Sequence, residues 1–283
     1  MKARVMTLGM LLLTAAACMA QKTGELVFEK VAYADSLICD AKIMDYSSDA
    51  EPTPYTIGKS RNYFNMETVE AVDGPDKAVT FINQWLVVNA AGIGMEGAVN
   101  AKTVAAKYAT LKNKPGVSTA VRTRGKQFLT PEAPDEIPEL PWETGDEFDN
   151  SVSVVKSTPK YVTIYDVGSI YNAGAAHGMP WECYYTFDLQ QMRLLTVNDI
   201  FTKAGKRKVL QMIVKELRSE YADEGLNSKI DFPGNEPAFT DDGILFSYGA
   251  YEIGPFSLGL PSVTLPYKKV QQYLTPQAKA LLK

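Results

Sequence analysis

Histidine is almost missing from this 283-residue sequence: His177 is the only one. That scarcity excludes His-rich metal sites and leaves any Ser–His or Cys–His mechanism a single base. Cysteine is confined to Cys18, Cys39 and Cys183, and no Cys-x-x-Cys occurs. Basic charge is not in excess either: 29 Lys+Arg face 33 Asp+Glu. A net charge of −4 argues against nucleic acid as a partner, because neutralising phosphates needs a basic face. The spacings of a nucleophile elbow, a zincin helix and an EF-hand loop are all missing, as is any internal repeat. What is present is ordinary. With 46% hydrophobic and 22% charged residues the chain is globular, and its length allows one large domain or two.

The first twenty residues read as a leader. Lys2 and Arg4 precede an apolar run from Val5 to Ala17, too short for a membrane span and right for a signal peptide. Cleavage after Ala20 and lipidation of Cys18, in the imperfect lipobox Ala15-Ala16-Ala17-Cys18, are both open. Either route exports the chain to the periplasm, the outer membrane as a lipoprotein, or the exterior. Removal of the leader leaves 27 basic against 33 acidic residues. No later stretch is long and apolar enough for a second span. An exported Cys39 and Cys183 could form a disulfide, or remain two separate buried thiols.

The patterning predicts an α+β protein with two mixed domains, 21–150 and 151–283. In the first, extended structure is expected over Leu26–Phe28 and Val31–Ile43. A helix over Asp76–Asn89 and another over Ala98–Lys112 follow from three-to-four spacing of apolar residues. Residues 131–150 hold four prolines and eight acids with no Lys or Arg, which predicts a long acidic loop. In the second, strands are expected over Ser151–Lys156, Lys160–Ile170, Trp181–Asp188, Leu194–Val197, Ile244–Tyr248 and Ser262–Leu265. The third of these alternates Trp181, Cys183, Tyr185 and Phe187 with polar residues, so it should be half-buried with one aromatic face. A helix over Lys203–Ala222 places Leu210, Ile213, Val214, Leu217 and Tyr221 on one stripe, and a short helix is expected over Tyr267–Leu274.

Chemistry is hard to find. Gly92-Ile93-Gly94-Met95-Glu96-Gly97 has the glycine spacing of a dinucleotide fingerprint, but helix precedes it and no acid stands some twenty residues on. It reads as a helix-ending turn, and no cofactor is expected. His177, in Gly174-Ala175-Ala176-His177-Gly178, lacks an orienting acid and a nucleophile in sequence, so Gly174, His177 and Gly178 read as a structural turn. No catalytic or metal-binding residue is assigned. Apolar residues in Tyr248–Pro261 are core by default, with Tyr251, Glu252 and Phe256 the candidate partner contacts.

The C-terminal half resembles a known family. The carrying motifs are Gly-Ala-Ala-His-Gly at 174–178, Tyr-Tyr-Thr-Phe-Asp-Leu at 184–189, Leu-Thr-Val-Asn-Asp-Ile-Phe at 195–201, Asp-Gly-Ile-Leu-Phe at 242–246 and Tyr-Glu-Ile-Gly-Pro at 251–255. Over about 158–280 the chain resembles the RsiV-type extracytoplasmic domain. Ala175 replaces a family glycine, and Gln190-Gln191 replaces a glycine-bearing hairpin turn. The resemblance implies a two-domain α+β ectodomain whose larger part is likened to an actin/heat-shock ATPase subdomain, without ATP hydrolysis. Relatives of this type include a lysozyme-binding anti-sigma factor and segments attached to peptidoglycan deacetylases. Four residues ahead of the apolar run leave no sigma-binding segment, so that role is not expected. The combined expectation is an exported, non-catalytic envelope protein that binds a lysozyme-like protein or a peptidoglycan fragment. An acidic surface suits a basic partner. The alternatives are a carbohydrate-active hydrolase with paired carboxylates and a purely structural envelope module.

Overall fold

A computed structural model describes residues 24–44, 54–89, 119–121, 147–171 and 175–283. The leader with Cys18, the 98–112 helix, the glycine-rich 92–97 segment, Gly174 and the acidic stretch up to 146 lie outside the described residues.

The fold is mixed, mostly sheet with a few helices, around a large and mainly antiparallel sheet. Two long strands, β1 (Val27–Met44) and β2 (Pro54–Asp73), form an antiparallel pair. After β2 comes helix α1 (Asp76–Asn89), with the bounds its spacing predicts. Short β3 (Thr119–Val121) lies parallel to β1. β4 (Glu147–Ser157), β5 (Tyr161–Tyr171), β6 (Met179–Asp188) and two-residue β7 (Arg193–Leu194) continue the sheet, in the order β3-β1-β2-β4-β5-β6-β7. Only β1–β3 and β2–β4 are parallel among these pairs. The boundary expected at 150 falls inside β4, which joins β2 to β5, so one sheet runs through it. The last part of the expected acidic loop is therefore strand. Asp149 there points to solvent while neighbouring Asn150 points inward.

The remaining chain makes a second layer. Helices α2 (Val197–Ile200) and α3 (Lys203–Glu220) lead to a three-stranded sheet of β8 (Ala238–Phe239), β9 (Ile244–Ser247) and β10 (Ser262–Leu265). Helices α4 (Tyr267–Val270) and α5 (Pro276–Leu281) close it. Val197 thus begins a helix rather than extending a strand, because Asp199 caps the turn: its Oδ2 accepts from Thr196 N at 2.9 Å. On α3 the buried stripe is Gly205, Val209, Ile213 and Leu217, one position off the expected one at Leu210.

Two apolar cores lie on opposite faces of the large sheet. On one face α1 presses Ala78, Ile82 and Leu86 onto Val152, Val162, Ile164 and Phe187. On the other, Tyr161 joins Phe201, Ile213, Phe239, Phe246 and their neighbours. β6 is accordingly covered on both sides at its end, where Thr186, Phe187 and Asp188 are all buried. Its aromatic face meets α1: the ring centroids of Phe187 and Trp85 are 4.8 Å apart, and those of Tyr185 and Trp85 4.6 Å.

The polar face of β6 is satisfied by a closed relay. Phe239 N–H donates to Thr186 Oγ1 at 2.9 Å, and Thr163 Oγ1 donates to Phe239 O at 2.8 Å. The two hydroxyls lie 3.0 Å apart, so Thr186 donates to Thr163 and each buried group has a partner.

The turn after β6 shows how Gln190-Gln191 substitutes for a glycine-bearing turn. Asp188 Oδ1 accepts from Gln190 N and Gln191 N at 2.8 and 2.9 Å, and Met192 takes the left-handed conformation at φ +50°. The outer edge of β6 is blunted. Asn235 Nδ2 donates to Glu182 O, and Leu195 N to Thr186 O, so these carbonyls point away from β5. Pro180, on the same outward register, offers no N–H to an incoming strand.

Candidate recognition surface

The β5–β6 connection and the β9–β10 loop meet at one end of the molecule. Four residues of the loop are fixed by hydrogen bonding, turn geometry or burial before any exposed ring is considered. Ile253 and Leu258 are buried, and Ile253 O accepts from Asn227 N at 2.8 Å. Pro255 starts a single 3-10 turn over Phe256–Leu258. Glu252 spans two segments: Oε1 accepts from Gly234 N at 2.6 Å and Oε2 from Gly249 N at 2.7 Å. Its carboxylate is thus engaged in shaping the loop rather than turned wholly outward.

Tyr251 is held in the left-handed region at φ +67° and is 52% exposed. An aromatic L-residue there is strained, so the surrounding contacts over-determine its conformation. Two partners, His177 and Phe256, hold it, and they also pack on each other. Its hydroxyl lies 2.9 Å from His177 Nε2, its ring centroid is 5.3 Å from that of Phe256, and His177 stacks on Phe256 at 3.8 Å and 21°. His177 Nδ1 lies 2.9 Å from Gly178 O. A carbonyl only accepts, so Nδ1 carries a hydrogen and donates to it, which leaves Nε2 to face the Tyr251 hydroxyl. The structure therefore joins two features that the sequence separates by 74 residues, the His177 turn and the Tyr251–Phe256 loop. Ala175, where the resemblance expects glycine, does not have a positive φ.

Tyr248, Ile253 and Leu258 are core, as expected by default for this segment, whereas Tyr251 is not. The two certain cysteines are not brought together. Cys183 is a free, half-buried thiol that donates to Asn235 Oδ1 at 3.4 Å. Cys39 lies on β1, with β2, β4 and β5 between the two strands.

A second polar group, missed in the sequence, sits beneath α1's face of the sheet. Asp166 is 5% exposed; its Oδ1 accepts from Asn150 Nδ2 at 2.6 Å and Trp181 Nε1 at 3.0 Å. Burial raises its pKa above the usual carboxylate value, against the two hydrogen bonds, which lower it. Among the described residues, Asn150 Oδ1 is a buried acceptor without a partner. Asp166 in its protonated form carries a hydroxyl next to that amide. As pH rises past the ordinary Asp value, the unfolded chain loses this proton first while the native state keeps it. Stability therefore falls with pH from the unfolded pKa up to the raised native one, then levels. Asp166→Asn keeps both accepted bonds and cannot ionise. We expect it to remove that slope, so that its stability relative to the parent improves from pH 3 to pH 7. Urea unfolding across pH checks this, and a parallel pair of profiles would refute it.

Among the described residues no three His, Cys, Asp or Glu side chains group as a metal site, and no helix is long and apolar enough to cross a membrane. No curated protein matches the chain. A solved DUF3298 family protein from Bacteroides fragilis has a TM-score of 0.64 at 19% identity, covering 90% of this chain and 96% of its own. One from Pseudomonas aeruginosa PAO1 has a TM-score of 0.54 at 15% identity, covering 89% and 96%. Residues 198–268, which include Tyr251, Glu252 and Phe256, match the family described as "Protein of unknown function (DUF3298)". The chain is thus similar to that family in sequence over one segment and to its solved members in fold over most of its length.

Proposed function

We propose that this protein is an exported envelope protein that performs no chemistry itself and binds a basic, lysozyme-like protein through the Tyr251–Phe256–His177 surface. The observation that carries this reading is Tyr251, an exposed aromatic ring kept in a costly backbone conformation by its contacts with His177 and Phe256. Rigid tyrosines give large contact area at low entropic cost, which suits a protein-binding anchor. The excess of acidic over basic residues suits a basic partner. The RsiV-type resemblance supports the same reading, together with its finer assignment of the C-terminal unit to an actin/heat-shock ATPase-like subdomain. The hydrolase alternative gains nothing from Asp166, whose carboxyl faces Asn150 and Trp181 rather than a second acid.

Tyr251→Gly separates binding from folding. Glycine adopts φ +67° freely, so stability should hold or rise by about 1 kcal/mol. Binding to lysozyme in calorimetry should weaken by about tenfold or more. Undiminished binding by this variant, or no binding by the parent at high micromolar concentration, would sink the reading. Tight binding of a peptidoglycan fragment in place of lysozyme would redirect it to a cell-wall ligand.

A further inference from the structure

The sheet face that carries Thr163 and Thr186 is buried at one end only. Towards the other end the strand register lays out a solvent-reached grid that includes Asn65, Asp149, Ser151, Tyr165, Glu182 and Tyr184, with Val167 at its centre and Glu67 opposite Ser151. Asn65 opposes Asp149, with Nδ2 donating to Oδ2 at 2.8 Å. Tyr165 opposes Tyr184, and their rings stack at 4.5 Å and 29°. Tyr184 OH donates to Glu182 Oε1 at 2.9 Å. None of these side chains is buried.

Three chemical properties coincide there. The stacked tyrosines offer an apolar, electron-rich surface to C–H groups or a cation. Ser151, Asn65 and the tyrosine hydroxyls offer donors and acceptors at the spacing of a pleated sheet. Asp149 and Glu182 are paired with neutral donors, Asn65 and Tyr184, exposed Glu67 adds a third carboxylate, and among the described residues none of the three is in an ion pair. Asp149 and Glu182 stand two strands and about two residues apart, so their Cα atoms are separated by about 12 Å. Hydroxyl-rich ligands use such a grid, and the uncompensated carboxylates ask for positive charge.

We propose that this face binds an oligosaccharide bearing free amino groups, a glucosamine oligomer in the simplest form. The site is separate from the Tyr251 surface and does not depend on the protein-binding reading. Calorimetric titration of the full chain with glucosamine oligomers tests it, with N-acetylglucosamine oligomers and spermine as comparisons. The glucosamine oligomer should bind about tenfold tighter than either, and its affinity should fall with added salt. The first comparison keeps the sugar and removes the charge; the second keeps the charge and removes the sugar. Asp149→Asn and Glu182→Gln together should weaken the preference for the free amine at least severalfold with the melting temperature unchanged, and Tyr251→Gly should leave it intact. Absence of glucosamine binding overturns the proposal, as does equal binding of either comparison or indifference to the double variant.

Discussion

Phe187→Ala should lower stability by about 4 kcal/mol, the largest single effect expected in this molecule. The side chain is fully buried and stands where α1 meets the sheet. Phe81 packs edge-on against it at 5.8 Å and 78°, and Trp85 at 4.8 Å and 65°. Truncation removes the apolar transfer term and leaves a void that two helix residues cannot both fill, since they lie on successive turns of a helix anchored elsewhere. That anchor is Asn83, whose amide donates to Ala71 O and accepts from Ala71 N, each at 2.8 Å. Urea unfolding followed by tryptophan fluorescence measures the loss. A change below about 1 kcal/mol would mean that α1 contributes little to the core.

Gly168→Ala is the second large effect, for a different physical reason. A β-carbon there would lie 2.3 Å from Asp149 O and 2.3 Å from Trp181 Cζ2. The carbonyl belongs to the β4 backbone and cannot retreat without opening the β4–β5 ladder. Trp181 can move only by giving up its hydrogen bond to Asp166. Overpacking of this kind costs about 3 kcal/mol. The indole would also report it, because displacement from its buried carboxyl partner changes the emission maximum. Unaltered emission with unaltered stability would contradict the close packing of indole on backbone.

Local signals in the sequence mark some elements well. Apolar spacing locates α1, and aromatic alternation locates β6 together with the face it buries. The apolar run from Ile244 locates β9. Strand β2 carries no such signature. Its residues alternate poorly, and its extended state is set by pairing along nearly all of β1, a non-local cause. For the same reason composition misplaced the end of the acidic loop: Glu147 and Asp149 read as loop, yet their strand pairs with β2 and β5.

The recognition surface was half legible. Tyr251, Glu252 and Phe256 stand out as aromatic and acidic residues in a glycine-rich loop. The histidine turn stands out as a motif. Nothing in one dimension says that they touch. The role of Glu252 differs from a free contact because two glycine N–H groups, not visible as donors in the sequence, claim both of its oxygens. Asp166 gave no signal at all. A carboxylate in a strand reads as solvent-facing, and its non-local partners, Asn150 on β4 and Trp181 on β6, are invisible in one dimension.

The hydroxyl relay among Thr163, Thr186 and Phe239 also governs how the molecule can move. Apolar layers slide past one another at small penalty, whereas three directional bonds in a ring permit neither translation nor twist without breaking. The sheet and the unit stacked on it should consequently behave as one gauge block. A ligand gripped at the aromatic tip and another resting on the open strands would then be held at a constant span and bearing.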